Sequence, residues 1–338
     1  MSGTRPKIED RVPAPVAEWF DRLHGILFTD ENVEPAVWDA ALLEPTRSIL
    51  SRPGKGVRAR LVERAWHLAG GAPEGPPELL PVAIEFLHVG SLVIDDIQDD
   101  SRFRRGSPAL LREYGVPIAL NTGNWLYFLA TSVFSHLPVS PDLRLGMFED
   151  TSLALMRCHQ GQALDLSVRV TEIARADVPA LVASVTKLKT GALMRLSAAL
   201  GARAAGAGPE IVESIGALGE HLGIGLQMLD DWSSIAVEDR REKGIEDIQL
   251  GRPIWPWAWL AQGADEVAYA RTIRHAPDTI DWEADLVLER LRALLKPIAP
   301  GRIRTQLDRA LAPLPDSCPA EAVEALREDI DTLERAYG

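Results

Sequence analysis

Apolar residues recur at spacings of three and four along most of the chain. The repeat predicts amphipathic helices over Val16 to Leu27, Ala59 to Leu68 and Ile211 to Leu229, and again through Val287, Leu288, Leu291, Leu294 and Leu295. Proline and glycine clusters punctuate it, at Gly70-Gly71-Ala72-Pro73 through Pro76-Pro77 and at Ala207-Gly208-Pro209. No run alternates convincingly in the manner of a half-buried strand, and no Asn-Gly pair marks a hairpin. With no solenoid repeat and no long linker, residues 1–338 are expected to form one all-α domain, a bundle of about a dozen helices.

Composition narrows the class. Of 338 residues, 46% are hydrophobic and 25% charged, which excludes a disordered, collagen-like or low-complexity chain. No apolar run reaches the ~18 residues a membrane span needs. The most suggestive, Phe86 to Ile94, ends in aspartates. Met1 to Val12 carries mixed charges and no apolar signal region, so a cytoplasmic protein is expected. Two cysteines, Cys158 and Cys318, without a CxxC pair argue against a disulfide framework or a structural zinc site. A net charge of −13 makes the chain a poor partner for nucleic acid. If the substrate is anionic, a basic pocket or a bound cation must reverse the local sign.

The apolar stretch Leu87 to Ile94 runs into Asp95-Asp96-Ile97-Gln98-Asp99-Asp100. In a continuing helix Asp95, Asp96 and Asp99 project towards one face. Carboxylates packed in this way repel one another, and a divalent cation relieves the conflict. A solvated helix end is the plain alternative, and paired carboxylates also serve acid–base chemistry, as in glycoside hydrolysis. The next residues weigh against both. Ser101-Arg102-Phe103-Arg104-Arg105-Gly106 supplies three arginines, and arginine favours bidentate contact with phosphate. Oxygen ligands beside phosphate-binding arginines suit Mg²⁺, which takes one or two carboxylates plus substrate phosphates. A second pair, Asp230-Asp231, follows Gln227 by three and four residues, so the three can share a helical face. The two clusters suggest acidic rims facing across a helical cavity, each carrying metal on one diphosphate.

The segment from His88 to Phe128, with DDIQDD, SRFRRGSP and NTGNWLYF, resembles the trans-isoprenyl diphosphate synthase (polyprenyl synthetase) family, and most of all its geranylgeranyl diphosphate synthase branch. Other matches follow in the family order. Pro53 to Arg58 resembles GKxxR, Gly161-Gln162 with Asp165 resembles GQxxD, Lys189-Thr190-Gly191 resembles KTG, and Lys243 to Asp247 resembles the lysine loop after the second aspartate motif. The matches lie within about residues 50–260. The resemblance implies an isoprenoid-synthase helical bundle around a central cavity, assembled as a homodimer. It implies that Asp95, Asp96, Asp99, Asp230 and Asp231 hold Mg²⁺, up to roughly three ions with diphosphate bound. It also implies that Arg104, Lys189, Thr190, Gln227 and Lys243 serve the allylic diphosphate, and that Lys55, Arg58, His88 and Arg105 bind isopentenyl diphosphate. The implied reaction adds isopentenyl diphosphate to an allylic diphosphate and gives a longer trans-prenyl diphosphate.

Several positions depart from the family pattern. Ser234 stands where the second motif has its third aspartate, Leu226 replaces a phenylalanine, Arg252-Pro253-Ile254 replaces Lys-x-Thr/Ser, and the loop from Lys243 is one residue short. Two rival functions stay open. One is a cyclase-like enzyme that ionises a prenyl diphosphate without elongating it, to which Trp232, Trp255, Trp257 and Trp259 could lend aromatic faces. The other is a non-catalytic partner that regulates an active synthase. For product length, Gly90 and Ser91 are small residues just before the aspartates, which leaves the cavity open. Phe86 lies a turn deeper as a possible floor, and the expected product is C20.

Overall fold

The structure is a computed structural model and describes residues 18–21, 32–273 and 281–337. Of the helix expected over Val16 to Leu27, only residues 18–21 fall within it, and they are helical. Met1 to Val12 lies outside the described residues.

The all-α expectation holds. Helix α1 (Pro35–Trp38) continues through a π-helical turn, Asp39–Leu43, into α2 (Glu44–Leu50). Then come α3 (Val57–Leu68), α4 (Leu79–Gln98), α5 (Leu110–Tyr114), α6 (Val116–Val133) and α7 (Pro141–Ser167). Helices α8 (Val178–Thr186), α9 (Ala192–Ala204), α10 (Pro209–Ala236) and α11 (Arg241–Gln249) follow. The last are α12 (Trp255–Gly263), α13 (Glu266–Ile273), α14 (Asp281–Leu295), α15 (Ala299–Leu311) and α16 (Ala320–Tyr337). The three later segments expected from periodicity are α3, α10 and α14. No helix among the described residues is long and apolar enough to cross a membrane.

The chain gathers into two compact units, residues 1–63 with 72–148, and residues 64–71 with 149–338. Two of the three crossing points fall inside helices, α3 and α7, so no linker marks them.

In the first unit α4 lies along α6. At Gly90 they pack closely: a Cβ there would stand 2.8 Å from the Gly123 carbonyl oxygen and 3.1 Å from Leu126 Cβ. Its small size therefore serves helix packing rather than an open cavity, which corrects the expectation above. Ile84, Phe86, Leu87, Val89 and Val93 bury the apolar face of α4. The first unit also holds a hairpin that the sequence reading omits. Strands β1 (Phe103–Arg104) and β2 (Ser107–Pro108) pair antiparallel, with Arg104 opposite Ser107. Arg105 (φ 52°) and Gly106 (φ 79°) make the turn, both in the left-handed region that a tight hairpin needs. Strands of two residues leave no period to read, and arginine replaces the usual asparagine. The buried Arg52 guanidinium clamps the hairpin, donating to the carbonyls of Arg104 (3.3 Å) and Pro108 (2.7 Å) and to Glu113 (3.0 Å).

In the second unit α10 is central, packed against α9 on one side and α15 on another, while α12 packs on α8. Arg64, at the end of α3, pairs with Asp329 of α16 at 2.7 Å. Cys158 and Cys318 form no disulfide among the described residues, and Cys158 Sγ donates to the Lys189 carbonyl at 3.5 Å.

Candidate active site

In the first unit α4 carries the chemistry. His88 and Asp95 are seven residues apart, close to two full turns, so they share a face and stand about 10 Å apart along the axis. Arg58, from the first turn of α3, places Nη1 3.2 Å from His88 Nε2. Burial and the charges of Arg58, Arg105 and Arg104 hold the imidazole well below its usual pKa. Lys55 is exposed in the loop before α3. Arg105 points back from the hairpin turn, donating to the Arg52 carbonyl at 3.3 Å.

The three aspartates all act on Arg104 but differ in burial. Asp95 and Asp99 are half-exposed, and α4 ends with Asp99 as its C-terminal cap. Asp96 turns inward, 1% exposed. It accepts hydrogen bonds from Arg104 Nε at 2.9 and 3.1 Å and a further short one from Nη2. Burial lowers the pKa of Arg104, but the bond to Asp96 and the charges of Asp96, Asp95 and Asp99 together raise it. Arg102 is exposed.

In the second unit a π-helical turn, Lys187–Gly191, joins α8 to α9 and carries the KTG residues. Lys189 Nζ bonds Asp165 Oδ2 of α7 at 2.9 Å. Gly161 makes this approach possible, since a Cβ there would stand 2.6 Å from the Lys189 amide nitrogen. Thr190 Oγ1 donates to Gln227 Oε1 at 2.8 Å, which turns the Gln227 amide nitrogen to Asp231 Oδ1, also at 2.8 Å. The other Asp231 oxygen accepts the Trp255 backbone N–H at 2.9 Å. Burial raises this carboxyl to about 7, with both donors opposing.

Asp230 has the opposite environment. Burial works to raise its pKa, but Lys243 Nζ at 2.6 Å and Arg240 Nη2 at 2.5 Å hold it at about 2. Lys243 is in turn raised, Asp230 outweighing desolvation. Desolvation lifts Asp247, one turn along α11 from Lys243, to about 6. Arg240 also bonds Ser233 Oγ and lies over the Tyr337 ring, 5.6 Å from its centroid. Ser234, in place of a third aspartate, is fully buried and donates to the Asp231 carbonyl at 2.8 Å. Arg252 Nη1 donates to the Asp165 carbonyl at 2.9 Å. The tryptophans are accounted for by packing: Trp257 and Trp259 are buried, and Trp259 stacks at 6.4 Å on Trp232 and 6.2 Å on Trp255.

Among the described residues no three His, Cys, Asp or Glu side chains converge as a metal cage. Mg²⁺ does not require one, because it commonly takes one or two carboxylates and completes its shell with water and substrate phosphate. Asp95 and Asp99, a turn apart at the end of α4, fit that partial set. The second pair is differently committed, with both Asp230 oxygens on the chain's own cations and both Asp231 oxygens on donors.

Sequence reasoning passed over Arg52, Glu85 and Arg240. Glu85 carried a signal, as the lone carboxylate inside the apolar run Leu79 to Ile94. Arg240 carried none, since its partners depend on how the chain turns after α10.

Helices bearing acidic motifs beside clustered arginine and lysine define a diphosphate-handling enzyme of the isoprenoid synthase class. The polyprenyl synthetase model matches residues 39–281. A geranylgeranyl pyrophosphate synthase of Eremothecium gossypii is 32% identical over 272 residues, covering 76% of this chain and 79% of that one. In fold the chain is similar to a geranylgeranyl pyrophosphate synthase of Lactobacillus brevis (TM-score 0.77, 21% identity, 97% and 98% covered). It is also similar to a heptaprenyl diphosphate synthase of Staphylococcus aureus (TM-score 0.76, 19% identity, 95% and 96% covered). The chain belongs to the polyprenyl synthetase family, and by that membership it is a trans-prenyltransferase.

Proposed function

We propose that the chain condenses isopentenyl diphosphate with an allylic diphosphate, gives a C20 trans-prenyl diphosphate and uses Mg²⁺. The observation that carries this reading is on α4. His88, with Arg58 of α3 beside it, stands two turns from Asp95, so α4 runs from a seat made cationic by Arg58 to an acidic seat, for two different diphosphates.

Asp95 and Asp99 would hold Mg²⁺, which would draw charge from the leaving diphosphate, and Asp96, Asp230 and Asp231 would join them only on release from the donors that hold them here. Lys189, Lys243 and Arg104 would bind that diphosphate, exchanging the carboxylates of Asp165, Asp230 and Asp96 for it. Thr190 and Gln227 orient Asp231 through the chain of 2.8 Å hydrogen bonds. Lys55, Arg58, His88 and Arg105 seat isopentenyl diphosphate. The allylic C–O bond breaks with its electron pair leaving on diphosphate, and the isopentenyl double bond supplies the pair for the new C–C bond. A proton then leaves the isopentenyl unit, with the departing diphosphate as its acceptor.

The C20 length draws on the name of the Eremothecium relative and on the small Ser91 near the aspartates. The fold does not set it, because a heptaprenyl synthase shares that fold. We place a second copy of the chain against α6, where Val116, Leu120 and Phe128 are exposed at multiples of four residues along one edge. Purified protein given Mg²⁺ and dimethylallyl, geranyl or farnesyl diphosphate, with and without isopentenyl diphosphate, tests the reading by product mass. A longer diphosphate that requires isopentenyl diphosphate is expected. A hydrocarbon formed without it would overturn elongation.

A further inference from the structure

Glu85 lies on α4 one turn before His88 and is 5% exposed. An ionised carboxylate at such a depth is costly unless charges and donors surround it. Burial, the largest influence, raises its pKa, and the positive charges of Arg58 and Arg105 and the Ala59 backbone N–H, in the first turn of α3, which donates to it, work the other way. Its Oε1 is buried and makes no hydrogen bond in the structure. Arg105 is closely seated too: a Cβ on Gly54 would stand 2.9 Å from its guanidinium carbon.

Arg58, Arg105 and their neighbour Arg104 crowd the same imidazole. Guanidiniums held this close repel one another, and a diphosphate is present only part of the time. In its ionised form, which both charges favour, Glu85 offsets the repulsion between the arginine from α3 and the arginine from the hairpin. Its bond to the Ala59 amide also ties the helix that carries Arg58 to the helix that carries His88. At 5% exposure the carboxylate has little surface to offer a ligand, so it acts through the arginines.

We propose that Glu85 is a positioning residue for the seat formed by Arg58, His88 and Arg105, taking that seat to be the one for isopentenyl diphosphate. It keeps the guanidiniums arranged for a diphosphate before the diphosphate arrives.

Two conservative variants of the full chain test this. Glu85→Gln keeps the volume and an acceptor for Ala59 but loses the charge, while Glu85→Asp keeps the charge. Steady-state rates are measured with isopentenyl diphosphate varied at saturating farnesyl diphosphate, then with the roles exchanged. Glu85→Gln is expected to raise KM for isopentenyl diphosphate about tenfold, the scale of one charge-assisted interaction, and to leave the farnesyl diphosphate KM within about twofold. Glu85→Asp is expected to recover most of the loss.

Through-space charge alone predicts the opposite sign, because an anion seat that loses a negative neighbour binds diphosphate more tightly. An unchanged or lowered KM for isopentenyl diphosphate would therefore overturn the proposal. Equal shifts for both substrates with a lowered Tm would overturn it too, marking Glu85 as structural only. If Glu85→Gln fails to fold, Glu85→Asp decides: a selective rise in the isopentenyl diphosphate KM supports positioning, and none refutes it. Wild-type protein that makes no longer diphosphate would instead refute the assignment of the seat itself.

Discussion

Arg58 Nη1 faces His88 Nε2 at 3.2 Å, and a guanidinium only donates, so the imidazole presents a lone pair there and carries its proton on Nδ1. The ring is thereby fixed as neutral. Its pKa in the folded chain lies well below the 6.5 of an unhindered histidine, through burial first and the arginines second. As pH falls through 6.5 the unfolded chain takes up a proton that the folded chain refuses. The stability held above 6.5 is then lost towards the folded pKa. Nitrogen-edited NMR should show His88 still neutral at pH 6, and a midpoint at 6.5 or above would contradict the geometry.

The acid limb at Asp230 is set by its two cations. Its folded pKa of about 2 lies below the unfolded 3.8, so its contribution is complete above about pH 4 and lost as pH falls towards 2. Asp230→Asn should flatten urea-measured stability against pH over that window. A curve parallel to the wild type would show that Lys243 and Arg240 do not stabilise this carboxylate.

Gly161→Ala should cost about 1–3 kcal/mol, because the new methyl would meet the backbone of Lys189, which cannot rotate away. Chemical denaturation measures it. A neutral result would mean that α7 and the π turn can separate at no cost.

Chelation with EDTA should abolish elongation yet leave Tm within about 2 °C. Asp96, Asp230 and Asp231 are already bonded to the chain's own donors and do not depend on a metal for the fold. A drop of about 5 °C or more would reveal a resident structural ion.

Product length should respond at Ser91 and not at Gly90. Ser91 is half-exposed, with its hydroxyl on the His88 carbonyl, whereas Gly90 abuts Gly123. Ser91→Phe should shift the product to C15, read by mass spectrometry, and an unchanged product would place Ser91 away from the growing chain. Gly90→Ala should instead lower stability by about 1–3 kcal/mol.

The helices were legible because periodicity needs only local spacing, and α3, α10 and α14 lie where apolar residues recur. The shared face of Gln227 and Asp231 was legible from helical spacing, whereas Lys189 and Asp165 were matched in two separate motifs and their ion pair was not read. The burial of Asp96 was not legible, because it depends on Arg104, which returns to α4 only after the chain bends at Asp100. Gly90 was misread because its neighbour Gly123 belongs to another helix. Two compact units left no trace in composition, because two of their crossing points lie inside α3 and α7.

Arg105 occupies a left-handed turn position that asparagine or glycine fills with less strain, roughly 1 kcal/mol in favour of the smaller residue. Selection for folding and selection for substrate therefore pull this residue in opposite directions. A library screened for expression or heat resistance alone should enrich glycine or asparagine at position 105. The winners would be sturdier proteins with an emptied anion seat, and a thermostabilised version of this chain is best built with position 105 held fixed.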